Sequence, residues 1–149
     1  MQLERAWLLA HLPHQGSMCL LDRIDDWDSQ CIRCTATSHR AQGNPLRAHG
    51  RLGAACGIEY AAQAMAAHGA LLAVADLPPR AGYLTSVRGV ELHVARLDDI
   101  DADLTVEAEH LYGNENTILY GFSICAEERL LLRGRVTVVL DAAKLRDPT

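Results

Sequence analysis

Aromatic side chains are scarce in this sequence, whose 149 residues include one Phe, two Trp and four Tyr. Hydrophobic residues nevertheless make up 49% of the chain, which is typical of a packed globule rather than of a disordered segment. Small aliphatic residues must therefore fill most of the core. The length suits one core and no repeat or linker interrupts it, so we expect a single domain over residues 1–149.

Positive charge is also in short supply. Lys and Arg number 14 against 19 Asp and Glu, which gives a formal net charge of −5. Phosphate contacts need a basic face, so this balance argues against nucleic acid as a partner. No run of about 18 apolar residues occurs, and we expect no membrane partner. The N-terminus lacks the basic start and long apolar region of a signal peptide, which predicts a cytoplasmic protein.

Metal and nucleotide motifs are missing as well. The sequence contains no H-x-x-x-H, no G-x-S-x-G and no glycine-rich phosphate loop. Its five cysteines are scattered, and the pair Cys31 and Cys34 has no second C-x-x-C to complete a zinc site. That pair falls in a strand-like run, where residues three apart face opposite sides of a sheet. We therefore expect no metal site.

The hydrophobic pattern predicts one long helix and six strands. The helix is expected over residues 54–75, and it is apolar almost all round, which is typical of a buried helix. One such helix and a sheet large enough to cover it predict an α+β fold of two layers. The other predicted elements are a short helix or turn over 7–18, strands over 18–28, 30–39, 81–97, 101–113, 117–128 and 129–141, a bend at Gly89 and a loose tail over 142–149.

Three segments resemble a known family. LPHQGSMCLLDRI, residues 12–24, is similar to the L-P-H-R-x-P-x-L-L-x-D-R opening of 3-hydroxyacyl-[acyl-carrier-protein] dehydratases. EYAAQ, residues 59–63, is similar to the E-A-x-A-Q segment of their central helix, which carries the catalytic acid. GYLTSVRGVELHV, residues 82–94, is similar to the strand that follows. The longer motif G-x-E-Y-x-A-Q, residues 57–63, makes the ApeP-like dehydratases of aryl polyene clusters the nearest resemblance.

The resemblance implies the hotdog fold, in which a curved antiparallel sheet wraps around one long central helix. It implies a lyase that dehydrates a 3-hydroxyacyl thioester in fatty-acid-like or aryl polyene biosynthesis. The substrate would arrive on the phosphopantetheine of an acyl carrier protein or on CoA, and the chain would hold no cofactor of its own. Hotdog proteins pair through sheet edges, so a homodimer, a higher oligomer or a heterodimer with another hotdog subunit is expected.

Dehydration needs a base, a proton donor for the leaving oxygen, and hydrogen-bond donors for the thioester carbonyl. Glu59 is the one acid between Leu52 and Val74, and burial among alanines would favour its protonated form. We therefore expect Glu59 to be the proton donor. His49, the loop histidine nearest the helix start, is the candidate base.

The start of the helix supplies the other candidates. The first amides of a helix lack internal partners, so those of Gly53, Ala54 and Ala55 are expected to bind the thioester oxygen. Gln63 lies one turn beyond Glu59 on the same face, where it would orient the carboxyl or close a polar seam.

Two other functions stay open because one fold hosts several activities. The chain is alternatively a non-catalytic hotdog subunit that partners an active dehydratase, or an acyl thioesterase whose carboxylate activates water. The first follows from the loop: His49 stands ten residues before Glu59, closer than in the fatty-acid type of dehydratase. Either His49 reaches the Glu59 of a neighbouring subunit, or the base lies elsewhere.

The remaining histidines are weaker candidates. We expect His14 to brace a turn after Pro13 and His93 to be a satisfied or exposed strand residue. His39 and His110 are expected at the surface.

Overall fold

We describe the chain from a computed structural model over residues 2–73, 83–114 and 116–139. The end of the predicted helix, 74–75, and the predicted tail, 142–149, lie outside the described residues. The helices and strands are β1 (Leu3–Glu4), α1 (Arg5–His11), β2 (Arg23–Trp27), β3 (Cys31–Ala36), α2 (Gly57–Leu72), β4 (Tyr83–Leu92), β5 (Leu104–Gly113), β6 (Thr117–Ala126) and β7 (Arg129–Val139).

The seven strands form one antiparallel sheet in the order β1-β2-β3-β5-β6-β7-β4. Helix α2 packs across β3, β5 and β6. The sheet is not closed, because β1 and β4 are its two edges. The α+β prediction of one long helix on an antiparallel sheet is therefore confirmed. The additional strand, β1, has two residues and is too short for an alternating pattern to reveal it.

Small side chains let α2 lie close to the sheet. A Cβ atom on Gly57 would stand 2.8 Å from Cδ2 of Leu132, so only glycine fits there without displacing β7 side chains. Ala61, Ala64 and Ala67 are fully buried. Half of the helix is nevertheless at least partly exposed, and Leu72 is 43% exposed. The prediction of a helix buried almost all round is wrong for the single chain, because the sheet covers one face.

Two boundaries differ from the predictions. The α-helix begins at Gly57, because Ala54–Cys56 forms a 3₁₀ turn first. β4 ends at Leu92, and the following segment turns to pair Arg96 with Gly53, where it braces that turn. The predicted bend at Gly89 is confirmed by its φ of +59° and by a register shift at this point.

Two histidines are buried in this fold. Nε2 of His68, on α2, donates to the Asp28 carbonyl at 2.8 Å, and its Nδ1 accepts from the Tyr120 hydroxyl at 2.9 Å. His39 is also fully buried, and its Nε2 faces two backbone carbonyls, so the prediction that it lies at the surface is wrong. Desolvation lowers the pKa of both imidazoles, because burial disfavours the charged form.

Gly57→Ala and Gly69→Ala test the close approach of α2 to the sheet. Gly57→Ala pushes a methyl group into Leu132 and is expected to lower the free energy of unfolding by about 1 kcal/mol. A Cβ atom on Gly69 would meet no neighbouring atom within 4 Å, so Gly69→Ala should raise stability by about 0.5–1 kcal/mol through helix propensity. Urea unfolding of both variants measures the difference. Equal effects would contradict the packing argument.

The buried histidines predict a pH-dependent stability. In the unfolded chain a histidine takes up a proton near pH 6.5, whereas His68 and His39 do so at lower pH when folded. The unfolded state therefore binds more protons as the pH falls below about 7, and each histidine can lower the unfolding free energy by up to about 1.4 kcal/mol per pH unit. Unfolding curves at pH 7.5, 6 and 5 would measure the slope, with those values chosen as about one unit around the reference pKa.

His68→Gln should reduce this slope, since the amide does not titrate, and it should also lower stability at every pH. His93→Gln is the matched control, because His93 is exposed and should leave the slope unchanged. An unchanged slope in His68→Gln would rule out this role for His68.

Candidate functional site

The opening segment and the first turn of α2 meet at a histidine and a carboxylate. Nε2 of His14 lies 3.4 Å from Oε1 of Glu59, with the two side chains 26% and 35% exposed. Glu59 is therefore not the fully buried carboxyl that the sequence predicted, because about a third of its side chain remains in contact with solvent. Nδ1 of His14 is buried and has no hydrogen-bond partner among the described residues, which leaves Nε2 as the nitrogen that faces the carboxyl.

Gln63 joins these two segments. Its side chain is fully buried, its Oε1 accepts from the Leu20 amide at 2.8 Å, and its Nε2 donates to the Met18 carbonyl at 2.8 Å. These bonds tie residues 18–20 to α2, which explains why β2 begins at Arg23 and not near Met18 as predicted. Because both ends of the amide are bonded to backbone, Gln63 positions the site and is not placed to bind substrate directly.

The orientation of the Gln63 amide also distinguishes the two oxygens of Glu59. Since Gln63 Oε1 must accept from the Leu20 amide, its Nε2 carries the hydrogens, and the second of them points toward Glu59 Oε1 at 3.5 Å. Glu59 Oε1 is thus the oxygen that faces the Gln63 amide, and Glu59 Oε2 is the oxygen turned away from it.

His49 does not meet Glu59 within the chain. The Ala48 and Arg51 backbones exchange hydrogen bonds of 3.0 and 3.1 Å around a two-residue turn formed by His49 and Gly50. Both turn residues have positive φ, +55° and +75°, as this type of tight turn requires. His49 is exposed, and no ion pair or hydrogen bond in the described part of the chain joins it to Glu59. The spacing in sequence suggested that His49 lies close to Glu59, whereas the tight turn at His49 and Gly50 leaves His49 exposed and without a contact to Glu59.

The predicted oxyanion amides are only partly free. Ala54 N–H donates to the Ala95 carbonyl at 3.1 Å, so this amide is already used in bracing the helix start. Gly53 faces Arg96 in the same short bridge, whose hydrogen bonds are made by the neighbouring residues, so the bridge does not use the Gly53 amide; Ala55 is exposed. Arg96 and the Leu52 amide both donate to Asp98, which holds the pKa of that carboxyl far below its usual range. These bonds tie the segment before α2 to residues 95–98.

A buried hydroxyl network supports the helix next to Glu59. The Tyr60 hydroxyl lies 2.7 Å from Ser38 Oγ and accepts from Asn44 Nδ2 at 3.0 Å, while Ser38 Oγ donates to the Leu20 carbonyl. Burial raises the pKa of Tyr60, so its hydroxyl stays protonated at neutral pH. Sequence reasoning missed both Ser38 and Asn44, since isolated polar residues in a loop give no signal of burial.

The position of His14 differs from the prediction. It was expected to brace a turn, yet the structure sets it against Glu59. The signal was present in the opening motif, which contains His14 and is one of the three segments that resemble the family. His93 is exposed and His110 is half-buried.

An open groove lies elsewhere on the chain. A groove of about 1350 Å³ covers the face of the sheet that points away from α2, and neither His14 nor Glu59 lines it. No group of three or more His, Cys, Asp and Glu residues arranged for a metal occurs within residues 2–73, 83–114 and 116–139. None of the helices described in this structure is long and apolar enough to cross a membrane.

Comparison with known proteins establishes the fold. The dehydratase heterocomplex ApeI:P from Xenorhabdus doucetiae is similar at 20% identity and a TM-score of 0.76, over 94% of this chain and 97% of that chain. A thioesterase family protein from Silicibacter pomeroyi is similar at 17% identity and a TM-score of 0.64, over 89% and 93%. A thioesterase from Haemophilus influenzae follows at 15% and 0.58, over 88% and 80%. These likenesses confirm the hotdog fold.

The family is shown by sequence. No curated protein matches the chain. A family model described as ApeP dehydratase, however, matches residues 8–146, which is nearly the whole length. The resemblance drawn from the opening and helix motifs is thus confirmed, and the chain belongs to the ApeP-like family.

Proposed function

We propose that this chain is a hotdog dehydratase that removes water from a 3-hydroxyacyl thioester, with His14 and Glu59 as its proton-transfer pair. The observation that carries the proposal is the 3.4 Å approach of His14 Nε2 to Glu59 Oε1 in a chain of the ApeP-like family. Histidine suits the base because its proton exchanges near neutral pH. His14 thereby takes the role for which the sequence suggested His49.

The proposed reaction uses both members of the pair. His14 Nε2 takes the proton from the carbon next to the thioester carbonyl, and the electrons of that C–H bond form the new double bond. The hydroxyl on the β-carbon leaves with its bonding electrons and receives the proton of Glu59 Oε2, which releases water. His14 then holds a proton that Glu59 lacks, and their close approach allows the proton to return.

The carrier and pathway belong to the same proposal. A substrate on the phosphopantetheine of an acyl carrier protein, in aryl polyene or fatty-acid-like synthesis, is supported by the family description alone. CoA would present the same thioester. Ala55, an exposed residue at the helix start, and Gly53, whose amide is not used by the bridge to Arg96, remain the candidate donors to the thioester oxygen.

A second hotdog subunit would complete the site. Strand β4 is a sheet edge, and its Leu84, Val87 and Leu92 are 41%, 40% and 50% exposed although they pair with buried residues of β7. A partner strand would cover this edge and its apolar side chains. The similar structure from Xenorhabdus doucetiae is named as a heterocomplex, which supports a pairing with another hotdog subunit here; a homodimer is the alternative.

The second candidate function is that of a non-catalytic partner subunit. It is favoured by the partial exposure of Glu59 and by the use of the Ala54 amide inside the chain. In that case the chain alone would be inactive and would raise the activity of an active dehydratase after mixing.

Glu59→Gln and His14→Gln test the proposed pair. Each variant keeps the approximate shape of the side chain and removes its proton-transfer group, so each should lower kcat by about 10²–10⁴-fold. His49→Gln is the matched control and should keep near-wild-type turnover, because its side chain lies on an exposed turn. The measurement is enoyl thioester formation from a 3-hydroxyacyl thioester, with circular dichroism as a check of folding.

Three results would separate the alternatives. Full turnover in Glu59→Gln or His14→Gln would refute the proposed pair. Loss of turnover in His49→Gln alone would return the base to His49. Release of free thiol without enoyl product would identify a thioesterase.

A further inference from the structure

The outer face of the sheet, which points away from α2, carries an ordered pattern of charge. Along β5, β6 and β7, buried residues alternate with exposed or half-exposed ones, so every second side chain faces outward. At the middle of this face the central strand, β6, presents the small residues Gly121 and Ser123, and Leu119 and Cys125 flank them along the same strand. The long charged side chains of the neighbouring strands form the walls of the 1350 Å³ groove.

The first row of this pattern crosses the sheet through Gly121. The strand register places Glu109 of β5, Gly121 of β6, Arg135 of β7 and Arg88 of β4 side by side. Arg135 and Arg88 are directly opposed like charges, an arrangement that is unfavourable when nothing neutralises it. No ion pair within the described ranges involves Glu109, Arg135 or Arg88. Two strand spacings, about 10 Å, separate the acid from the nearer base.

The second row crosses the sheet through Ser123. Its members are Arg33 of β3, Glu107 of β5, Ser123 of β6, Arg133 of β7 and Glu91 of β4. From β3 across to β4, the side chains of this row are therefore positive, negative, uncharged, positive and negative. Each charge on one side of β6 thus has the opposite sign at the same distance on the other side.

We propose that this outer face binds a second copy of the same chain, with a two-fold axis running along β6. A rotation about that axis lays the β5 side of one copy over the β7 side of the other. Glu109 then meets Arg135 of the second copy twice, once on each side of the axis, and Glu107 meets Arg133 in the same way. Such a face is self-complementary, as a two-fold interface requires.

The direction of the axis follows from the charges. An axis across the strands would place β5 on β5, and Glu107 and Glu109 would oppose acidic residues of the second copy. Only the axis along β6 pairs both rows with opposite signs. The missing side chain of Gly121 leaves room for Leu111 of β5, which is 41% exposed and lies against the position of Gly121, so an apolar side chain stands near the middle of this face.

Charge reversal of one member of the first row tests the interface. Glu109→Arg or Arg135→Glu, each alone, should raise the dissociation constant of the self-associated chain by at least about tenfold, since each places two like-charged pairs in the interface. Sedimentation velocity measures the mass distribution of the full chain. Raising NaCl from about 20 mM to about 1 M should likewise shift the wild-type chain toward smaller species, because salt screens these pairs.

Mixing the two variants provides the decisive result. At positions 109 and 135 a copy with Glu109→Arg carries two bases and a copy with Arg135→Glu carries two acids, so the mixed pair regains both contacts although neither variant pairs with itself. The double variant Glu109→Arg/Arg135→Glu should also recover self-association. Glu128→Arg, an equal charge change at an exposed position in the turn between β6 and β7, is the control and should behave as wild type.

Several outcomes would overturn the proposal. They are a wild-type mass that does not respond to salt, single variants that associate as the wild type does, and a mixture that fails to recover the larger species. A face that binds only a different protein would give the first two results. Unchanged thermal melting of the variants ensures that loss of association is not loss of folding.

Discussion

The buried amide of Gln63 is the interaction on which the candidate site depends. It bonds residues 18–20 from within α2, and those residues follow directly on the segment that carries His14. An apolar side chain there would leave the Leu20 amide and the Met18 carbonyl without partners, at about 1–3 kcal/mol for each buried group. The two hydrogen bonds from Gln63 to Leu20 and Met18 therefore set the distance between His14 and Glu59, although neither His14 nor Glu59 takes part in them.

The same helix uses two further polar anchors. Tyr60 bonds Ser38 and Asn44, and His68 bonds Asp28 and Tyr120. An alanine-rich helix has little surface relief, so it could rotate or slide against a sheet at small cost in apolar contact. Hydrogen bonds from Tyr60, Gln63 and His68 to separate segments hold α2 at three positions along its length. Together they fix the rotation of the helix about its axis and its position along that axis. The few polar residues of the helix thus supply the uniqueness that small apolar residues do not.

The sequence predicted the fold better than the site, for a physical reason. Alternation and helical periodicity reflect which side of an element is buried, and both survive in any sequence that forms this sheet. The pairing of His14 with Glu59 depends instead on how a loop of several turns is held by Gln63, and no local pattern contains that information. His39 shows the same limit to prediction from sequence. Its buried ring faces the carbonyls of Ile100 and Ala102, which lie far from it along the chain. His49 stands ten residues before Glu59 in the sequence, yet no contact joins the two within the described part of the chain, because closeness in sequence does not fix closeness in space.

The two faces of the sheet serve different purposes. The face toward α2 carries the core, and β4, with Val87 exposed, offers an edge for a partner strand. The charged rows lie on the opposite face, centred on β6, two strands away from that edge. Pairing at the edge and pairing on the outer face can therefore occur in one assembly without competing for surface. If both are two-fold and their axes cross at right angles, four chains close into a symmetric tetramer.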